Sequence, residues 1–191
     1  TERAAAGQPA RIFAKMNALV DHRVIEALFD ASRAGVPIDL VVRGICCLRP
    51  GLPGISENIR VRSIVDRFLE HSRIYVFGAD SEAKVFLSSA DWMPRNFFRR
   101  VEIMFPVEAP DLRSRILTEI VPAYLRDNQK ARILGPDGNY TRRHPSEGEP
   151  AYRCQYDLLA IDSDFPATAA RAVANGGGDH AVADSAPAET A

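Results

Sequence analysis

Residues 11–44, RIFAKMNALVDHRVIEALFDASRAGVPIDLVVRG, decide the fold class. ARIFAKMN (10–17) reads as a short strand. DHRVIEALFDASRAG (21–35) reads as a helix. The Asp21 carboxylate is suited to accept the first free N–H groups, and Gly35 supplies the stop. Val24, Leu28 and Ala31 recur on one helical face, with Ile25 and Phe29 beside them. VPIDLVVRG (36–44) is an apolar, β-branched run of the kind that fills a buried strand. Strand, helix and strand in this order favour a parallel pair, which places ligands at the carboxyl ends of the strands. Arg43 stands at such an end.

Working outward, ICCLRPGLPGISEN (45–58) is punctuated by Pro and Gly and reads as a loop. IRVRSIV (59–65) is a strand, VDRFLEH (65–71) a short helical turn and RIYVFG (73–78) a strand. AKVFLSS returns after the turn GADSE, as in an antiparallel hairpin. RRVEIMFPV (99–107) is expected as a further strand, with Val101 and Ile103 on one face and Arg100, Glu102 and Met104 on the other. DLRSRILTEIVPAYLRDN (111–128) makes an amphipathic helix that Pro122 must kink or restart. KARIL and AYRCQYDLLA close the domain as strand and helix. The expected fold is α/β, a mixed and mostly buried sheet flanked by helices. The expected boundaries are a flexible stretch over 1–10, a folded domain over 11–163 and a disordered tail over 164–191. From Phe165 onward that tail has no Leu, Ile, Tyr or Trp with which to build a core.

The chain has 191 residues, 46% of them hydrophobic, which is long enough for one buried core and too short for two large ones, and its formal charge of −1 is uninformative. No apolar run approaches the roughly 18 residues of a membrane span, and TERAAAGQPA lacks signal-peptide features. A cytoplasmic location is expected, with membrane association left open. Cys46 and Cys47 are adjacent and Cys154 is distant, giving neither a Cys-x-x-Cys metal pattern nor a disulfide framework. Lysine occurs only at 15, 84 and 130, so arginine dominates the cations. A genome biased toward Arg codons accounts for the overall count, but arginine's planar fork is also the better ligand for phosphate oxygens.

Three groups fall at strand ends: Arg43, His71 with Arg73 in LEHSR, and Arg99 with Arg100. Alternation along a strand predicts His71 and Arg73 side by side on one face, an arrangement suited to a phosphate. Guanidinium groups stabilise charge on a transferring phosphoryl group, and histidine serves as nucleophile or as acid to the leaving oxygen. A hydrogen-bonded structural imidazole fits the same spacing. His22 and His144 read as surface residues and His180 as inert; Asp91 and Trp92 read as a turn whose indole plugs the core. Lys15 and Asn17 serve either a site or a turn. No Gly-x-x-x-x-Gly-Lys-Ser/Thr loop is present.

AKMNALVD (14–21), IDLVVRGICCLRPGLPGISENIRVRSIVDRFLEHSRIYVF (38–77) and VFLSSADWMPRNFFRRVE (85–102) together resemble the C-terminal domain of the long bacterial polyphosphate kinase family. The resemblance implies a phospholipase D-like half and an enzyme that reversibly transfers the terminal phosphate of ATP to inorganic polyphosphate. It implies a phosphohistidine on the other half, so that this chain is a fragment that needs upstream domains. It further implies that Arg43 and His71 contact ATP, that His71 is catalytic, and that Arg100 contacts phosphate. Mg2+ is implied as cofactor with ligands outside this chain. The partners implied are ATP or ADP, polyphosphate, the upstream domains and further copies of the enzyme, with no nucleic acid. The alternative is a non-catalytic module that binds polyphosphate or nucleotide. A phospholipase D-like hydrolase is disfavoured, because that group's His-x-Lys is His-x-Arg here.

Overall fold

A computed structural model describes residues 1–160, of which 1–155 form one unit. The expected tail over 164–191 and the end of the expected 11–163 domain lie outside the described residues. The chain opens with a helical turn, α1 (Glu2–Ala5), and strand β1 (Ile12–Met16). Residues 1–10, expected to be flexible, thus include a helical turn, and Ala4 and Ala10 pack against the core.

Helix α2 (His22–Arg33) follows, capped as expected: the Asp21 carboxylate accepts from the N–H groups of Arg23 and Val24. Gly35 ends it at φ +82°, a left-handed conformation that a Cβ would strain. Strand β2 (Ile38–Val42) is buried at every position and pairs parallel to β1, as the opening stretch predicts. β3 (Ile59–Ile64) pairs parallel to β2, while β4 (Arg73–Phe77) lies antiparallel on the other side of β1. β5 (Lys84–Ser88), β6 (Met104–Pro106), β7 (Ala131–Leu134) and β8 (Tyr140–Arg142) complete an eight-stranded mixed sheet. Its order is β6-β5-β4-β1-β2-β3-β7-β8.

On one face Ile25, Leu28 and Ala31 of α2 join Ala14, Met16, Leu40, Val42, Val61 and Tyr75 in the core. The alternate side chains Phe13, Val41, Ile74 and Val76 are buried as well. On their side of the sheet lies α5 (Val121–Arg126), which is reached from α4 (Pro110–Arg115) through a wide turn (Ile116–Ile120). The tie is direct: the Lys15 ammonium lies 4.9 Å from the Tyr124 ring centre, and Arg62 donates to the Leu125 carbonyl. The wide turn is where Pro122 makes itself felt. The Val121 N–H reaches the Ile116 carbonyl, five residues back, and the helix continues past a residue that has no N–H to give.

Two expectations need correction. VDRFLEH forms no helical turn. Its backbone bends at Arg67 and Phe68 and is held by a side chain from far along the chain: Phe68 exchanges both of its peptide hydrogen bonds, 2.8 Å each, with the Gln155 amide. RRVEIMFPV is strand only over Met104–Pro106; Arg99 instead closes a helix, α3 (Pro94–Arg99), and Val101 is fully exposed. Glu102 folds back onto Ser89 and Asn96, and the Ile103 N–H is taken by the Ser89 hydroxyl at 3.0 Å, so the regular ladder stops at Met104. The last helix, α6 (Cys154–Ala160), starts three residues later than AYRCQYDLLA suggests.

Candidate phosphate-handling edge

The pairing pattern gathers a polar edge. β1, β2, β3 and β5 end there, and β4 and β6 begin there, so Asn17, Arg43, residues 65–72 and residues 89–103 all emerge on the same side of the sheet. β1 lies between β2 and β4, which separates the strands carrying Arg43 and His71 by about 10 Å, two inter-strand spacings.

Arg43 follows directly on β2 and is fixed from three directions. Its N–H donates to the Met16 carbonyl at 3.1 Å, its carbonyl accepts from Ser63 Oγ at 2.9 Å, and its Nε donates to Asn17 Oδ1 at 2.9 Å. A Cβ on neighbouring Gly44 would stand 3.1 Å from the Asn17 carbonyl, so the close approach of these two chains favours glycine. Among the described residues no carboxylate pairs with Arg43, which leaves its positive charge available to an anion.

His71 is exposed, but the backbone that carries it is not loose. Beneath it lies Lys15, only 5% exposed, in the middle of an apolar strand. Its ammonium donates to Ser72 Oγ at 2.8 Å and to the Ser72 carbonyl at 3.2 Å, and pairs with Glu70 Oε2 at 3.1 Å. Glu70 also accepts from the Tyr124 hydroxyl at 2.6 Å and from Gln155 Nε2 at 2.7 Å. Burial pushes Lys15 below its usual pKa against the opposing pull of Glu70, and the positive charge of Arg43 adds to the depression. Burial, with Glu70 next to it, pushes the Tyr124 phenol up.

Arg73 does not share a phosphate-facing surface with His71, contrary to the alternation expected of the stretch. β4 begins at Arg73, so His71 lies before the strand. The Arg73 guanidinium is instead bound to Asp91 by two 3.1 Å contacts and donates to the His71 carbonyl at 2.7 Å. Asp91 takes a further 2.7 Å bond from the Asn17 N–H. Burial alone would raise the Asp91 carboxyl, but the bonds from Arg73 and the Asn17 backbone outweigh it and hold it below the usual carboxylate range. Trp92 plugs the core as expected, stacked on Tyr75 at 4.9 Å and 8°.

Arg100 lies just past α3, exposed, at a cleft of about 260 Å³ lined also by Trp92, Asn96, Phe97 and Glu102. Arg43, His71 and Arg100 therefore share an edge, but among the described residues no hydrogen bond or ion pair joins them. His22 and His144 are exposed, as expected. The Lys15–Glu70–Tyr124 cluster was not legible beforehand, although one signal existed: a lone lysine inside an apolar strand needs a buried partner.

Among the described residues no group of three or more His, Cys, Asp or Glu side chains is placed to hold a metal ion. The carboxylates of this edge are already committed, Glu70 to Lys15, Asp91 to Arg73 and Glu102 to Ser89 and Asn96. These residues do not fit a Mg2+ site. No described helix is long and apolar enough to cross a membrane.

Residues 1–155 match the family model described as polyphosphate kinase C-terminal domain 2. A polyphosphate kinase of Neisseria meningitidis serogroup C is 56% identical over 161 residues, covering 84% of this chain and 24% of that relative. One from Burkholderia vietnamiensis is 55% identical over 159 residues, covering 83% of this chain and 23% of the relative. The crystal structure of polyphosphate kinase from Porphyromonas gingivalis superposes with a TM-score of 0.77 at 43% identity, covering 91% of this chain and 25% of that one. A phospholipase D family member from Salmonella typhimurium superposes at a TM-score of 0.48 and 14% identity. The chain spans about a quarter of the length of the relatives it matches. With a family model covering residues 1–155 and identities above one half, the chain belongs to the polyphosphate kinase C-terminal domain family.

Proposed function

We propose that this chain supplies one half of the active site of a polyphosphate kinase that moves the terminal phosphate of ATP reversibly onto inorganic polyphosphate. The observation that carries the reading is the 56% identity to a polyphosphate kinase across 84% of the chain. In this reading the phosphate passes from ATP to a histidine outside this chain, releasing ADP, and then to the terminal oxygen of polyphosphate. His71 stands beside the transfer. As imidazolium it donates a proton or hydrogen bond to the departing oxygen of ADP, and as imidazole it takes the proton back in the reverse direction. Arg43, without a carboxylate partner, and Arg100, at the mouth of its cleft, hold phosphate oxygens and spread the charge of a loose transition state. The ligands of any Mg2+ lie in the remaining three quarters of the enzyme. A cytoplasmic setting, and assembly with the upstream domains and with further copies, belong to the same reading.

The test exploits the division of labour. Incubated with ATP labelled in its terminal phosphate, residues 1–191 alone are expected to acquire no stable label, whereas mixing them with the upstream remainder of the enzyme should yield labelled polyphosphate. Acid-labile, base-stable label at stoichiometric level on His71 of the chain alone would overturn the proposal. Binding of polyphosphate without turnover in the mixture would support a binding module instead.

A further inference from the structure

The segment that presents His71 has no regular secondary structure, so its shape is set by whatever grips it. It is gripped at each neighbouring position. On the N-terminal side the Phe68 N–H and carbonyl are both bound by Gln155, and the Glu70 carboxylate is bound by Lys15, Tyr124 and Gln155 together. On the C-terminal side Ser72 gives both its hydroxyl and its carbonyl to Lys15. Lys15 therefore bridges the residues immediately before and after His71, from a strand 57 positions earlier than Ser72. A surface loop needs no buried ammonium to hold it. Placing one in an apolar strand costs desolvation, and the contacts it makes are concentrated on the two residues that flank the histidine.

We propose that Lys15 is a positioning residue for the phosphoryl-transfer reaction: by clamping Glu70 and Ser72 it fixes the direction in which the His71 imidazole faces the transferring phosphate. The proposal rests on the reading of His71 as a catalytic group. Lys15 touches no substrate and moves no proton. Its effect reaches the reaction through the backbone of residues 70–72, aided by Tyr124, whose hydroxyl is the second donor to Glu70 Oε2.

The test uses the complete enzyme carrying Lys15→Met, which replaces the unbranched apolar stem and removes every bond from the ammonium. If the imidazole loses its aim, kcat for polyphosphate synthesis falls about 100-fold, the scale of a misplacement near 1 Å, while KM for ATP stays within about threefold. The thermal midpoint is recorded on the same preparation. A folded Lys15→Met enzyme with kcat within threefold of the parent overturns the proposal, and so does a rise in KM with kcat unchanged. If this variant does not fold, Tyr124→Phe decides: it removes one hydroxyl and its bond to Glu70, keeps the ring in place and should lower kcat about fivefold in a folded protein, and an unaltered kcat refutes the clamp. His71→Ala is measured in parallel. A dead His71→Ala enzyme beside a fully active Lys15→Met enzyme sinks the positioning role alone; an active His71→Ala enzyme sinks the functional reading on which it rests.

Discussion

Asp91→Asn keeps the shape of a buried carboxylate and removes its charge, leaving the Arg73 guanidinium without a counter-ion. The two side chains are only 6% and 16% exposed, so water compensates little. Removing one partner of a buried ion pair costs about 3–5 kcal/mol, and because Arg73 retains its bond to the His71 carbonyl we take the lower end, about 3 kcal/mol. For a chain of this size that lowers the thermal midpoint by about 6–12 °C. The assay is thermal unfolding of residues 1–191 at pH 7, followed by circular dichroism. The double variant Arg73→Met/Asp91→Asn should lose less than the single one, because it leaves no buried charge without a partner while the amide oxygen still accepts from the Asn17 N–H. Because the folded Asp91 carboxyl lies below its ordinary value of 3.8, its contribution is present above that pH and is lost as the pH falls through the folded value. The gap between parent and Asp91→Asn should therefore be constant near neutrality and close below about pH 3.8. A midpoint shift under about 2 °C at pH 7, or a double variant weaker than the single, would refute the assignment of Arg73 to a structural pair.

Arg43→Lys and Arg100→Lys in the complete enzyme keep a positive charge and lose the planar fork, so each should cut polyphosphate synthesis at least about tenfold with the fold intact; unchanged kcat/KM in both would remove phosphate recognition from these residues. Thiol titration at pH 7.5 should find one fast-reacting cysteine, the exposed Cys47. Burial pushes Cys46 up to about 11 and raises Cys154 as well, so both stay protonated; rapid labelling of Cys46 would contradict the packing of the 45–58 loop.

What the sequence revealed followed from local chemistry. The Asp21 cap, the Gly35 stop and the Pro122 irregularity each depend on residues within a few positions of one another, the parallel pair follows from the order of three consecutive elements, and each is present. What it concealed depends on partners far along the chain. VDRFLEH looks helical until Gln155, 87 residues away from Phe68, takes its peptide groups. His-x-Arg looks like a phosphate pair until Asp91 claims the arginine. The Arg43 position was legible because strand order fixes which ends converge, whereas Lys15, Glu70 and Tyr124 are drawn from three elements whose meeting no periodicity announces.

The central claim is that His71 acts in the transfer and is not merely part of the scaffold. It is tested most directly by His71→Gln in the complete enzyme, with specific activity and thermal midpoint measured on one preparation. Glutamine can donate a hydrogen bond but cannot exchange a proton near neutral pH. The account predicts a folded protein with its midpoint within about 2 °C of the parent, since the exposed imidazole contributes little to packing, and with polyphosphate synthesis abolished. Near-normal specific activity in that folded variant would contradict it.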